Sequence, residues 1–420
     1  MKTCNRAPRR AIAAAALLAA APAVWATNGY FPHGFGLKAK GMGGVSIALA
    51  QDGFAGVNNP AAAAFAGNRW DVGAEIFRPY RDAQFVGQTP VVESGRTAFP
   101  IPEFGYNVQL SQRLAFGVTV YGNGGMNTSY APFPNGVNLL GGQGKLGVDL
   151  MQLIVAPTLA YQVADGHALG VSPLLVLQRF EAYGVQAFAG MSQSPGNVSN
   201  RGKDTSAGIG IRFGYFGKLG DRVSVGASYS PKTNMGRFDK YQGLFAGSGD
   251  FDIPENFGVG VAVQVTPAVT VALDATRINY GGVPSIANGS LSQIMAGQPL
   301  GAAQGPGFGW RDINVVKLGV QWQMNERWTL RAGYNKGDNP IRSQDAMFNI
   351  LAPGVIREHI TFGATYAPDK QSEWTFALWH GKRETVVGPS VDFTSMAMNP
   401  TGTRIGMHQN GFGVQYSRRF

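Results

Sequence analysis

The feature that most constrains this chain is strict alternation of side-chain type in the absence of any long apolar run. In FGVGVAVQV, Val259, Val261, Val263 and Val265 fall on one face, and Gly258, Gly260, Ala262 and Gln264 on the other. Val316, Leu318, Val320 and Trp322 likewise oppose Lys317, Gly319 and Gln321. Trp328, Leu330, Ala332 and Tyr334 oppose Thr329, Arg331, Gly333 and Asn335, and Ala207, Ile209, Ile211, Phe213 and Tyr215 oppose Gly208, Gly210, Arg212 and Gly214. Side chains along a strand point to alternate faces, so these segments form a sheet whose two sides meet different surroundings. No apolar run of membrane-spanning length follows the first 26 residues, which excludes transmembrane helices there. Charged residues make up only 14% of the chain, against about 25% in soluble domains. Much of the surface therefore faces something other than water. Strands inside lipid must close on themselves, because an open edge would strand its backbone donors and acceptors. The expected fold is all-β, an antiparallel transmembrane β-barrel. A soluble sandwich would alternate as well, but aromatics near strand ends (Trp328 and Tyr334, Trp374 and Trp379) suit girdles at a bilayer interface.

The connections give the strand count. Tight turns fall at LSQR, VADGH, KLGDR, VTPA, MNER and APDKQSE. Long loops are expected near residues 81–98, 123–144, 184–202, 232–252, 282–309, 337–355 and 388–406. Six turns alternating with seven loops require fourteen strands, with turns toward the periplasm and loops toward the exterior. The last strand, NGFGVQYSRRF, puts Phe412, Val414, Tyr416 and Phe420 on one face, and Arg418 interrupts that face where it can snorkel to the interface.

Residues 1–26 read as a secretory signal peptide: Lys2, Arg6, Arg9 and Arg10 precede a short apolar run and the Val24-Trp25-Ala26 cleavage site. Its removal lowers the formal charge from +10 to about +6 and takes away the only cysteine, Cys4. Thiol catalysis and disulfides are then excluded. The remaining positive charge is scattered, with no Lys/Arg run of the kind that binds nucleic acid. Residues 27–68 do not alternate. They hold Gly and Ala in quantity, apolar Phe31, Phe35, Leu37, Ile47, Leu49 and Phe65, and few charges. A flexible linker would be polar or Ser-rich. Within this segment, Asn59 is a helix N-cap, Pro60 suits the first helical position and Gly67 can end the helix. Two turns are unstable alone, so a compact plug held inside the lumen is expected, with residues 69–420 forming the barrel.

Enzyme signatures are lacking. There is no G-x-S-x-G elbow and no H-E-x-x-H, and His33, His167, His359, His380 and His408 are scattered without metal-ligand spacing. No enzymatic activity, cofactor or metal is expected. A porin for small polar solutes would need an open lumen, which the apolar segment 27–68 opposes.

With these residues in place, the chain resembles the FadL-type family of outer-membrane transporters for long-chain fatty acids and other hydrophobic compounds. The resemblance rests on GMGGVSIALAQDGFAGVNNPAAAAF, with the family's Asn-Pro-Ala signature at Asn59, Pro60 and Ala61, and on IPENFGVGVAVQVTPAVTVALDATRINY, WRDINVVKLGVQWQMNERWTLRAGYN and ITFGATYAP. It implies a monomeric fourteen-stranded barrel in the outer membrane of a Gram-negative bacterium, closed by an N-terminal hatch. It also implies passive uptake: loops capture the ligand, a site beside the hatch receives it, and a gap at a kinked third strand releases it sideways. In the third strand, Gly122, Gly124 and Gly125 mark a candidate kink, although the same glycines would also begin the long loop that follows. Phe133, Leu139, Leu140, Met347, Phe348, Ile350 and Leu351 are expected to be exposed on loops and to capture apolar ligand, or else to pack the loops together. Arg212, Lys317 and Arg331 face the lumen, where one could pair with a carboxylate or simply be solvated. The partners so implied are a long-chain fatty acid or other hydrophobic ligand, together with outer-membrane lipid and lipopolysaccharide; aromatic hydrocarbons and alkanes are the alternative ligands.

Overall fold

A computed structural model describes residues 28–392 and 397–420. The expected signal peptide lies outside the described residues. Fourteen long strands follow in sequence order: β1 Arg69–Phe85, β2 Phe99–Gln109, β3 Leu114–Asn127, β4 Gly147–Ala164, β5 His167–Tyr183, β6 Asp204–Leu219, β7 Val223–Ser230, β8 Asn256–Thr266, β9 Val269–Ile278, β10 Ile313–Gln323, β11 Trp328–Gly337, β12 Glu358–Tyr366, β13 Ser372–Asp392 and β14 Ala397–Arg419. Each pairs antiparallel with its neighbours, and β14 returns to β1 from Arg69↔Arg419 to Phe85↔Thr403, closing the barrel. A two-residue strand, Val92–Glu93, adds to β1 at Asp82 and Ala83.

The alternating faces lie as the sequence requires. Val259, Val316, Leu318, Ile360, Phe362, Leu378 and Phe412 are exposed on the outer wall, whereas Arg212, Lys317, Arg331 and Gln415 are buried on the inner one. Trp70, Tyr416 and Trp374 stack side by side at the short-turn end, with Tyr416 5.4 Å from Trp70 and 4.9 Å from Trp374. This is the geometry of an interfacial girdle. Arg418 is exposed beside it and donates to Ser372 Oγ at 3.3 Å. Trp379 departs from the girdle expectation. It faces inward, is 4% exposed, and packs near the ring of His33 at 5.5 Å.

The loop expected at 388–406 is mostly strand. β13 and β14 continue pairing to Asp392↔Ala397, with register shifts between Gly381 and Glu384 and between Gly388 and Ser390. The shift between Gly388 and Ser390 leaves Pro389 over, and a bulge accommodates a residue that cannot donate to the ladder. The other six long connections stand between the expected strand pairs.

Candidate functional site: the lumen and the break in the wall

Residues 28–68 are almost wholly buried and lie against inward-facing side chains of the strands. Their short helices, α1 Leu37–Lys40 and α2 Ala55–Asn58, are each four residues long. Pro60–Phe65 is a 3₁₀ helix, not the α-helix expected, although its capping is as read. Asn59 Oδ1 accepts from Ala61 N at 3.1 Å, Pro60 takes the first position and Gly67 turns out at φ 74°. The tighter helix suits a six-residue piece whose partners are all tertiary. Asn59 is fully buried, and its Nδ2 donates to Ile47 O and to Tyr215 O, both at 2.8 Å. It fits between Gly214 and Gly226: a Cβ on Gly214 would lie 2.1 Å from Asn59 Oδ1.

The anchors of this segment are charges that the sequence did not single out. Asp274 on β9 accepts from Ser46 N and Ile47 N at 2.8 and 3.0 Å. Asp71 on β1 accepts from Gly53 N at 2.8 Å. Lys40 reaches Glu75 at 2.6 Å and Glu103 at 3.6 Å, and Lys38 reaches Glu373 at 2.7 Å. Burial, reinforced by the nearby Arg69, lowers the Lys38 ammonium to about 8 despite Glu373. Burial beside Asp71 raises the Asp52 carboxyl to about 6. Acidic residues at alternate positions of β1, β2, β9 and β13 were the available signal. Each sits on the inner face, where an unpaired carboxylate would be costly.

Arg212 and Lys317 meet at one cavity of about 80 Å³. Its walls include Phe31, Phe35, Ile47 and Val57 from the N-terminal segment. Arg212 also donates to Val57 O, and Lys317 Nζ lies 3.4 Å from Gly44 O. Arg331 does not line this cavity. It donates to Gln321 Oε1 at 2.9 Å and Thr365 Oγ1 at 2.6 Å.

Gly122, Gly124 and Gly125 lie within β3, at a bulge. The pairing to β4 runs Gly122↔Leu153 and then Gly124↔Gln152, leaving Asn123 over. Below the bulge, β3 alternates between buried and half-exposed positions; from Tyr121 to Asn127 every residue is buried. The strand has turned inward. A side chain at Gly124, whose φ is 155°, would meet Tyr30 O at 2.3 Å. Pairing between β2 and β3 stops at Phe104↔Val120, although β2 remains paired to β1 up to Phe99↔Phe77. Contact resumes above, where Gly95 N donates to Ser129 O at 2.8 Å. The β2–β3 ladder is therefore broken beside the N-terminal segment, where Phe35 packs edge-on against Tyr121 at 4.8 Å. β2 contributes Pro100 and Pro102 to this unpaired stretch. Neither can donate a backbone hydrogen bond, yet the ladder to β1 passes through both, so their nitrogens lie on the β3 side.

The expected exposure of the loop hydrophobics is overturned. Leu139, Leu140, Met347, Phe348, Ile350 and Leu351 are all buried, and Phe133 is half-buried against them. The long loops fold over the barrel and bury their apolar side chains against one another, as the hydrophobic effect favours. Phe348 stacks on Phe188 at 5.2 Å, and Phe180 on Phe245 at 4.6 Å. A small cavity in this cap is lined by Phe180, Phe245, Leu300, Phe308, Phe348 and Leu351, with no charged side chain.

Residues 23–420 match the family model described as "Outer membrane protein transport protein (OMPP1/FadL/TodX)". The chain belongs to this family. It is an outer-membrane β-barrel channel of the FadL/TodX type for hydrophobic compounds. Similar solved structures include the Pseudomonas putida toluene transporter TodX, at 22% identity and TM-score 0.68, covering 94% of this chain and 100% of that one. A Pseudomonas aeruginosa FadL homologue has 16% identity and TM-score 0.70, covering 93% and 100%. The Ralstonia pickettii toluene transporter TbuX has 20% identity and TM-score 0.65, covering 92% and 99%. At these identities the structural likeness establishes the shared fold. No curated protein sequence matches this chain.

Proposed function

We propose that this FadL/TodX-family barrel takes up long-chain fatty acids or similar hydrophobic compounds passively, as a monomer. Ligand enters through the apolar loop cap, where Phe348 and Leu351 line a cavity without charge. It passes to the cavity beside residues 28–68, which act as the hatch, and leaves sideways through the window between β2 and β3. The observation that carries this reading is the adjacency of the broken ladder to the hatch: Tyr30 and Phe35 touch the kinked stretch of β3. An apolar solute leaving there enters lipid directly and never crosses the polar periplasmic mouth. Arg212, Lys317 and Arg277 line this cavity beside apolar Phe31, Phe35, Ile47 and Val57, which favours a ligand with one anionic end, because a carboxylate can pair with the cations while its chain packs on the apolar side chains.

The alternative ligand is an uncharged monoaromatic hydrocarbon, favoured by the charge-free loop cavity. Uptake of labelled oleate, toluene and an alkane by a transporter-deficient host expressing this chain tests the choice. Oleate uptake that falls at least tenfold in Arg212→Gln/Lys317→Gln, with toluene unaffected, supports the fatty-acid reading. Toluene uptake without oleate uptake refutes it in favour of the hydrocarbon. Rapid passage of small sugars through the reconstituted protein would refute both.

A further inference from the structure

The outer wall of the barrel carries an asymmetric patch that uptake does not use. On β1 and β11–β14 the outward-facing residues form successive rows. The lower row is apolar: Ile76, Phe362, Leu378 and Phe412 are each more than 40% exposed. One step further from the short turns, the paired positions Ile360↔His380, His380↔Asn410 and Asn410↔Arg78 place polar and cationic groups side by side. His380 Nδ1 is 2.7 Å from Asn410 Oδ1, and Arg78 lies over the Tyr80 ring at 5.6 Å. In the next row, Lys336 and Lys382 flank Glu358 at 3.3 and 3.6 Å, with their side chains 53% and 68% exposed. Tyr80 and His408 stack at 4.7 Å to complete that row. Arg78, Lys336 and Lys382 thus face outward with Glu358, His380 and His408 beside them, and in the row beyond Arg383 and Arg404 pair with Asp82 at 2.6 and 3.5 Å. On other walls Arg179 stands two residues from Glu181 on β5, and Arg277 is bound to Asp312 at 2.9 Å.

The height of this patch points to its occupant. Lys382 is eight residues along β13 from the girdle residue Trp374. Eight residues span about 26 Å of strand, or about 20 Å along the membrane normal at a tilt of about 40°. That places the apolar row in hydrocarbon and the ammonium and guanidinium groups, which snorkel outward, at the headgroup layer of the outer leaflet. We propose that this face binds the phosphorylated, multiply acylated glycolipid of that leaflet, lipopolysaccharide, through its lipid A portion. Arg78, Lys336 and Lys382 bind the phosphates, His380 and Asn410 donate to the sugar hydroxyls and acyl carbonyls, and the apolar row packs the acyl chains. Charge complementarity selects the phosphates, and the apolar row beneath them selects a lipid over a soluble anion.

Native mass spectrometry of the folded, detergent-purified full chain tests this. The probes are bis-phosphorylated lipid A, its dephosphorylated form, phosphatidylglycerol and inorganic phosphate. Lipid A is expected to bind at least tenfold tighter than either other lipid, and inorganic phosphate is expected not to displace it. Arg78→Gln/Lys336→Gln/Lys382→Gln is expected to lose at least tenfold in lipid A affinity, and Arg179→Gln to lose none. Heat-modifiable gel mobility confirms that each variant remains a barrel. Unchanged lipid A binding by the triple variant, equal affinity for phosphatidylglycerol, displacement by inorganic phosphate, or an equal loss in Arg179→Gln would each overturn the assignment.

Discussion

Asn59→Ala isolates the docking of residues 28–68 from the integrity of the wall. The substitution removes three hydrogen bonds: the cap to Ala61 N and the two donated by Nδ2 to Ile47 O and Tyr215 O. Losing an N-cap costs about 1 kcal/mol, and each buried group left without a partner costs about 1–3 kcal/mol. Some of these groups will find water in the space vacated, so about 3 kcal/mol is a reasonable net cost. That shifts the docked-to-undocked ratio roughly 150-fold. The strands lose no ladder bond, so heat-modifiable mobility and thermal unfolding of the barrel should stay as in the wild type. Two measurements should change together. Hydrogen exchange of amides 46–66 should quicken by about two orders of magnitude, and liposomes carrying the variant should leak small polar solutes. Asn59→Asp keeps the cap but turns a buried carboxylate oxygen onto the carbonyls of Ile47 and Tyr215, and should undock the segment at least as far as Asn59→Ala. If Asn59→Ala exchanged at the wild-type rate and stayed tight to solutes, the claim that this side chain fastens the segment would be wrong.

The remaining predictions concern the other fastenings and the window. Lys40→Met leaves Glu75 and Glu103 buried without their cation, which should cost about 3–5 kcal/mol in thermal unfolding or hatch exchange; adding Glu75→Gln/Glu103→Gln should recover most of it. Gly124→Val drives a side chain into Tyr30 O and should cut hydrophobic uptake severalfold while the barrel still assembles, as read by labelled-substrate uptake and gel mobility. Asp52 has its carboxyl raised to about 6, so the folded state holds more protons than the unfolded state between about pH 4 and 6. The stability it contributes is full below about pH 4 and is lost as pH rises through 6. Protection of the 46–66 amides, taken relative to unstructured peptide at the same pH, should therefore be higher at pH 4.5 than at pH 7, and Asp52→Asn should flatten that difference; equal protection at both pH values in the wild type would refute the assignment.

How much of this was legible in the sequence follows from the range of each interaction. Strand alternation is local, so the outer faces of β6, β8, β10 and β11 could be read directly. The caps of Pro60–Phe65 are local too, and Asn59, Pro60 and Gly67 take the positions read for them. The helix type was not legible, because six residues held by tertiary contacts follow the shape of their socket. Partners such as Asp274 for Ser46 are more than two hundred residues apart, and no spacing announces them. Exposure for capture and packing between loops were both open for the loop hydrophobics, because one loop read alone does not show its neighbour; Phe188 and Phe348, from two different loops, cover one another. The loop expected at 388–406 is mostly paired strand because bulges, which local propensity does not announce, let the β13–β14 ladder continue. Arg212 and Lys317 were placed on the inner face correctly, but which cations share a cavity depends on where residues 31–57 come to rest.

Pro100 and Pro102 give the window a permanence that a flexible gap would lack. Two strands that merely drifted apart in a membrane would be driven to zip up again, since every unpaired donor in lipid is a loss. Here the facing edge of β2 has been stripped of donors at alternate residues, so closing the seam would recover little. On the proposed lateral route the unpaired seam behaves as a frame built into the wall, and a shutter for it would hang from inside. The segment that carries Tyr30 and Phe35 is the part of the chain already in position to be that shutter.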